Sequence, residues 1–130
     1  MHEPKLNHIK LANLFMSFAP EYYFEEGCYI SEWMNDAADP ALSVARARLP
    51  ASNSTRWHRL HKITERYLIL EGAGRAEVGD LSHTLRAGDS ILIPPGERQR
   101  IHNTGNTDLV FLALCTPRFT TDCYEDVEPA

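Results

Sequence analysis

Cysteine is scarce in this chain. The three residues, Cys28, Cys115 and Cys123, are an odd number with no CxxC pair, so a disulfide framework is not expected and a reducing compartment, the cytoplasm, is. Basic residues are outnumbered, 13 against 18 acidic ones, for a formal charge of −5. They are also dispersed, which argues against a nucleic-acid partner. Long apolar runs are missing: Leu109–Cys115 is far too short to cross a bilayer, so no membrane association is expected. The N-terminal stretch is broken by Lys5, His8 and Lys10 and has no small-residue cleavage site after it, so secretion is not expected either. There is no Gly-rich phosphate loop, no GxSxG and no helix-turn-helix segment, so nucleotide-dependent chemistry, α/β-hydrolase chemistry and transcription regulation lack support. One globular unit remains, with 43% hydrophobic and 24% charged residues among 130.

What is present is a succession of short β-type runs between turn signals. Residues 1–26 form an N-terminal extension, with a short helix expected over 5–18 and a breaker at Pro20. Over 27–117 the runs CYISEW, ALSVARARL, TRWHRLH, ERYLIL, GRAEV, HTLRAG, SILIP, RQRIHN and DLVFLALC recur every eight to twelve residues. That rhythm indicates a sandwich or barrel rather than βαβ units. Gly72–Gly74 and Val78–Asp80 each read as a hairpin turn, and Pro94 with Pro95 ends the strand SILI, since proline donates no ladder hydrogen bond. Residues 118–130 are an acidic tail, expected as a loose edge or a segment packed on a partner.

Period-two alternation sorts the candidate site residues. Glu65, Tyr67 and Ile69 share a face, as do Gln99, Ile101 and Asn103. A carboxylate turned inward with Ile69 needs a cation, a metal or a network of donors, and Gln99 is placed to hydrogen-bond Glu65 or a histidine. Val44, Arg46 and Arg48 lie opposite Ser43, Ala45, Ala47 and Leu49. If the small-residue face packs inward, the arginines meet solvent; if not, they clamp a substrate carboxylate. Arg98 and Arg100 alternate with Gln99 and are expected outside. Trp33, Trp57 and Tyr67 either line a pocket or belong to the core. Cys115 reads as a small buried hydrophobe.

The spacing of these residues resembles the cupin superfamily. Its first motif is His-x-His, three or four residues, Glu, six residues, Gly; Glu65 and Gly72 match. Its second is Gly, five residues, Pro-x-Gly, two residues, His, three residues, Asn; Gly88, Pro94, Gly96 and Asn103 all match. The ligand positions depart from the pattern. A spacing of three makes His61 the second histidine with Arg59 before it; a spacing of four makes His58 the first with Leu60 after it; and Gln99 replaces the later histidine. WHRL followed by ERYLIL resembles a single-domain cupin pattern that keeps the histidine of that tetrad, which favours His58. The resemblance implies an all-β fold, a double-stranded β-helix or jelly-roll barrel with a short N-terminal extension, and a homodimer. It further implies a divalent metal (Fe, Mn, Zn or Ni) held by His58, His61, Glu65 and Gln99. Glu65 would be ligand or general base, and Arg46, Arg48 and Tyr67 would contact a small organic substrate. Dioxygenase, isomerase, lyase and cyclase chemistries all belong to such sites. The replacement at Gln99 favours a second reading, a barrel that binds a small ligand without metal and without catalysis.

Overall fold

Strand-forming residues with period-two alternation dominate the part of the chain that the computed structural model describes, residue 17 and residues 19–130. The helix expected over 5–18 falls, apart from residue 17, outside it. The strands are Tyr22–Phe24 (β1), Cys28–Met34 (β2), Ser43–Leu49 (β3), His58–Leu60 (β4), Thr64–Glu71 (β5), Ala73–Val78 (β6), Leu81–Arg86 (β7), Ser90–Ile93 (β8), Gln99–Asn103 (β9), Leu109–Thr116 (β10) and Tyr124–Asp126 (β11). They pair in two antiparallel sheets, one in the order β1-β2-β3-β10-β5-β8 and the other β11-β4-β9-β6-β7. Chain neighbours repeatedly fall in opposite sheets, the jelly-roll arrangement that buries the inner face of both.

One turn differs from its expected role. β5 and β6 flank Gly72 but belong to different sheets, so Gly72 makes a corner and not a hairpin. Its φ is +82°, and a Cβ there would lie 2.7 Å from the carbonyl oxygen of Asp108. Only glycine meets both demands. The turn between β6 and β7 is the hairpin expected at Val78–Asp80. At the neighbouring corner, buried Asn103 donates to the carbonyls of Leu49 and Thr107 and accepts from the Gly105 N–H, which ties β9 to the loop leading into β10.

Register stacks the inner side chains in layers. On the first sheet Ser43, Cys115, Glu65 and Ile93 lie side by side, then Ala45, Ala113, Tyr67 and Ile91, then Ala47, Phe111 and Ile69, then Leu49 and Leu109. The last two layers join Ile101 and Leu85 of the second sheet in a continuous core. Each fully buried Leu or Ile there contributes roughly 2 kcal/mol of transfer free energy. In the first two layers the side chains from β3 and β10 are short and Glu65 is polar, and the barrel is not filled at that end, although Tyr67 and Ile93 still belong to the core and Ile91 packs against it.

The tail does not behave as a loose edge. β11 pairs with β4, Tyr124 opposite Leu60 and Asp126 opposite His58. Glu128 accepts from the Trp57 N–H at 2.7 Å, and the Val127 N–H donates to the Trp57 carbonyl at 2.9 Å. Backbone groups at the edge of β4 are thereby paired, which the acidic composition of the segment did not suggest.

Candidate functional site

The unfilled end of the barrel is a pocket of about 510 Å³, counting its open mouth. Short side chains make the room: Ser43, Ala45, Ala113 and Cys115 come from adjacent strands. Aromatic rings from the chain's two ends wall it, Tyr22 and Phe24 from β1 and Phe119 and Tyr124 from the tail. Its carboxyl and imidazole groups are Glu26, Glu32, Glu65 and His58.

His58 is 2% exposed and opens β4. Its Nδ1 lies 2.7 Å from the Arg56 carbonyl, which can only accept, so Nδ1 carries a hydrogen. Nε2 is thereby turned to Glu26 Oε2 at 3.0 Å, within ion-pair distance. Tyr124 stacks on the imidazole with centroids 5.4 Å apart. Glu26 is set by the tight turn between β1 and β2. The Gly27 N–H donates to the Phe24 carbonyl, the Arg56 N–H donates to the Glu26 carbonyl at 2.7 Å, and Gly27 takes φ +111°. Cys28 Sγ donates to the other Glu26 oxygen at 3.2 Å.

Glu65, 7% exposed, lies on β5 with its side chain inward, in line with Tyr67 and Ile69. Gln99 Nε2 donates to Glu65 Oε1 at 2.9 Å, and the Tyr67 hydroxyl donates to Gln99 Oε1 at 2.7 Å. The Cys115 thiol is 3.7 Å from Glu65 Oε2. Burial pushes the Glu65 carboxyl up to about 7, nearby His58 draws it down, and the charge of Glu26 raises it further. Burial also raises the Cys115 thiol and, strongly, the Tyr67 phenol. Neither is an anion near neutral pH.

The expected residues separate into two groups. His58, Glu65 and Gln99 converge, with Tyr67 behind Gln99 as its orienting donor. His61 stands elsewhere: it follows β4 with its side chain 49% exposed and pairs with Glu125 at 2.7 Å. His61 lies in the turn after β4, where its N–H donates to the Cys123 carbonyl at 2.8 Å, so strand alternation does not place it. Arg46 and Arg48 also lie outside. Their strand buries Ser43, Ala47 and Leu49, and the arginines pair with Glu21 on the outer face. Arg48 further pairs with Asp108 and covers the Tyr29 ring at 4.3 Å. Trp57 is an outer-face residue beneath the guanidinium groups of Arg98 and Arg100, at 4.1 and 4.6 Å.

Glu26, Glu32 and Tyr124 were not foreseen. Glu32 had a signal, because it alternates with Cys28 and Ile30 on β2. Glu26 lies in a turn, and Tyr124 in the tail; only the closure of the sheets brings either to the pocket.

The donor set does not fit a metal ion. With His61 outside and Gln99 presenting its amide N–H to Glu65 while its oxygen takes the Tyr67 proton, two of the four expected ligands are engaged elsewhere. His58 Nε2 is turned to Glu26. Among the described residues no group of three or more His, Cys, Asp or Glu side chains could hold an ion. Nor, among those residues, is any helix long and apolar enough to cross a membrane.

Comparison with known proteins agrees with this architecture. Residues 45–115 match the model of the cupin domain. An uncharacterised protein of Methanocaldococcus jannaschii is 34% identical over 109 residues, 82% of this chain and 85% of that one. The oxalate-binding protein of Thermotoga maritima is 40% identical over 74 residues, 57% of this chain and 61% of that one. Among solved structures, a protein from Thermotoga maritima described as a predicted oxalate decarboxylase has a TM-score of 0.64 and 33% identity, covering 69% of this chain and 80% of its own. The Streptomyces nucleoside dehydratase Pac13 has a TM-score of 0.72 at 15% identity, over 85% of each chain, a likeness of fold. The motif spacing, the two-sheet barrel and these matches agree: the chain belongs to the cupin family.

Proposed function

We propose that the barrel binds a small organic molecule without a metal ion, with Glu65 as the group that gives or takes a proton. The observation that carries this reading is the Glu65 carboxyl. It is buried, pushed up to about 7, fixed by Gln99 on one oxygen and open to the pocket beside His58. A carboxyl near half-protonation at neutral pH serves as either acid or base, and isomerisation and elimination both need such a group. His58 and Glu26, 3.0 Å apart, place a base and a second carboxyl at the same mouth. The names carried by relatives, oxalate binding and nucleoside dehydration, support a small-molecule ligand in general terms.

Elemental analysis of freshly purified protein tests the absence of a resident metal. The expected content is far below one ion per chain and is the same in His58→Ala and Glu65→Ala. A stoichiometric ion in the wild type that disappears from both variants would overturn the reading. The proton-handling role is tested by carbon-13 titration of labelled glutamate carboxyls: one resonance should titrate near 7 and be missing in Glu65→Gln.

The reading extends to a homodimer in the cytoplasm. Leu68, Leu112 and Leu114 stay partly exposed on the outer face of the first sheet, beside exposed Leu70 and Leu92. Apolar sheet faces of that kind favour burial against a second copy. The three unpaired cysteines suit a reducing compartment. Light scattering should return twice the chain mass, and Leu92→Lys with Leu112→Lys should return the monomer.

A further inference from the structure

We infer that the pocket takes an organic cation, an ammonium carried on a flat apolar body, and not a dicarboxylate. The inference rests on the metal-free reading above, because a bound divalent ion would reverse the charge at the site.

Charge is the first argument. Three carboxyl groups, Glu26, Glu32 and Glu65, face the pocket against one imidazole, His58, and no Lys or Arg lines it. Burial raises both Glu65 and Glu32 and so reduces their negative charge, yet His58 even when protonated offsets only one of the three carboxyls. Basic residues around the pocket are committed elsewhere: Arg46 and Arg48 to Glu21 on the outer face, Arg56 to Asp126 at 2.6 Å, and Arg118 to Asn35 at 2.8 Å, from where it acts on Glu32 only through space. A dianion such as oxalate would be desolvated among like charges without a counter-charge, and like charges brought together in a partly buried site oppose each other strongly.

The walls give the second argument. Phe24 meets Tyr124 edge to face at 5.1 Å and Phe119 at 6.4 Å, so rings at different inclinations bound the space next to Glu26. Ring faces attract cations and repel anions through the same quadrupole. Carboxylates and aromatic walls together recognise an ammonium group and its apolar carrier.

The test compares three probes on the full chain by calorimetry and amide chemical shifts: 2-phenylethylammonium, the neutral 2-phenylethanol, and oxalate with and without Mn2+. The ammonium should bind at least tenfold more tightly than the alcohol, and oxalate alone should not bind. Glu32→Gln should weaken the ammonium roughly tenfold, about 1.4 kcal/mol, and leave the alcohol unchanged; Glu26→Gln should act in the same direction. Equal affinity for ammonium and alcohol, no binding of the ammonium, or binding of oxalate alone would overturn the cation inference and leave the metal-free reading standing. Oxalate binding that requires Mn2+ and is lost in His58→Ala would overturn both.

Discussion

At one end of the barrel, strands β3, β5 and β10 bring together Leu49, Ile69, Phe111 and Leu109; at the other, the same three strands bring Ser43, Ala45, Glu65, Ala113 and Cys115. The backbone pairing is continuous between the two ends apart from a bulge at Val110 and Phe111. The pocket is therefore made by a gradient of side-chain size along paired strands, and no gap in the sheet is needed. Burial energy is concentrated at the filled end. At the open end, buried polar groups are retained at an energetic cost that the filled end offsets, which is how a site survives inside a stable barrel.

The division can be broken most forcefully at the filled end. Ile69→Ala or Ile101→Ala should lower unfolding free energy by about 3 to 4 kcal/mol in urea titrations, since each removes fully buried methylenes from a packed layer. A loss below about 1 kcal/mol would show that this end is not where stability resides.

Next in size is the pH dependence at the open end. Folding raises the Glu65 carboxyl from 4.5 to about 7. The folded chain therefore holds a proton that the unfolded chain releases. The resulting stabilisation is complete below 4.5 and disappears as pH rises through about 7, with an upper bound of about 3 kcal/mol. Urea midpoints measured across that window should fall with pH in the wild type and fall much less in Glu65→Gln. Parallel slopes for the two proteins would remove Glu65 as the titrating group.

Filling the pocket sharpens the comparison further. Ala113→Leu adds volume where the second layer is short, so stability should change by less than about 1.5 kcal/mol while binding of 2-phenylethylammonium is lost. Unimpaired binding would move the ligand elsewhere. The smallest effects belong to the outer surface. His61→Ala removes one partly exposed ion pair and should change stability by less than about 1 kcal/mol, Arg48→Ala removes two and the contact on the Tyr29 ring and should cost about 1 kcal/mol, and neither should alter ligand affinity. An affinity change in His61→Ala comparable to that of His58→Ala would contradict the placement of His61 outside the barrel.

Much of this could be read in advance at the level of a single strand. Alternation put Glu65 with Tyr67 and Ile69, and Gln99 with Ile101 and Asn103, on inner faces; His61 was not settled by that rule, because it lies in the turn after β4. The alternative open at Arg46 and Arg48 needed one further fact, that the small-residue face of β3 packs inward. The corner at Gly72 was harder, because a glycine between two strands looks the same whether the chain reverses within a sheet or passes to the facing one. Nothing local distinguishes them.

Sequence alone determined the all-β class, the positions of most strands and the inward direction of the central carboxylate, because side-chain alternation and turn chemistry act over a few residues. Tertiary structure decided which groups meet: Glu26 from a turn, Tyr124 and Phe119 from the tail, and the layer of short side chains that opens the pocket. The reason is physical. Those meetings depend on the register and closure of strands far apart in the chain, and no local propensity encodes that distance.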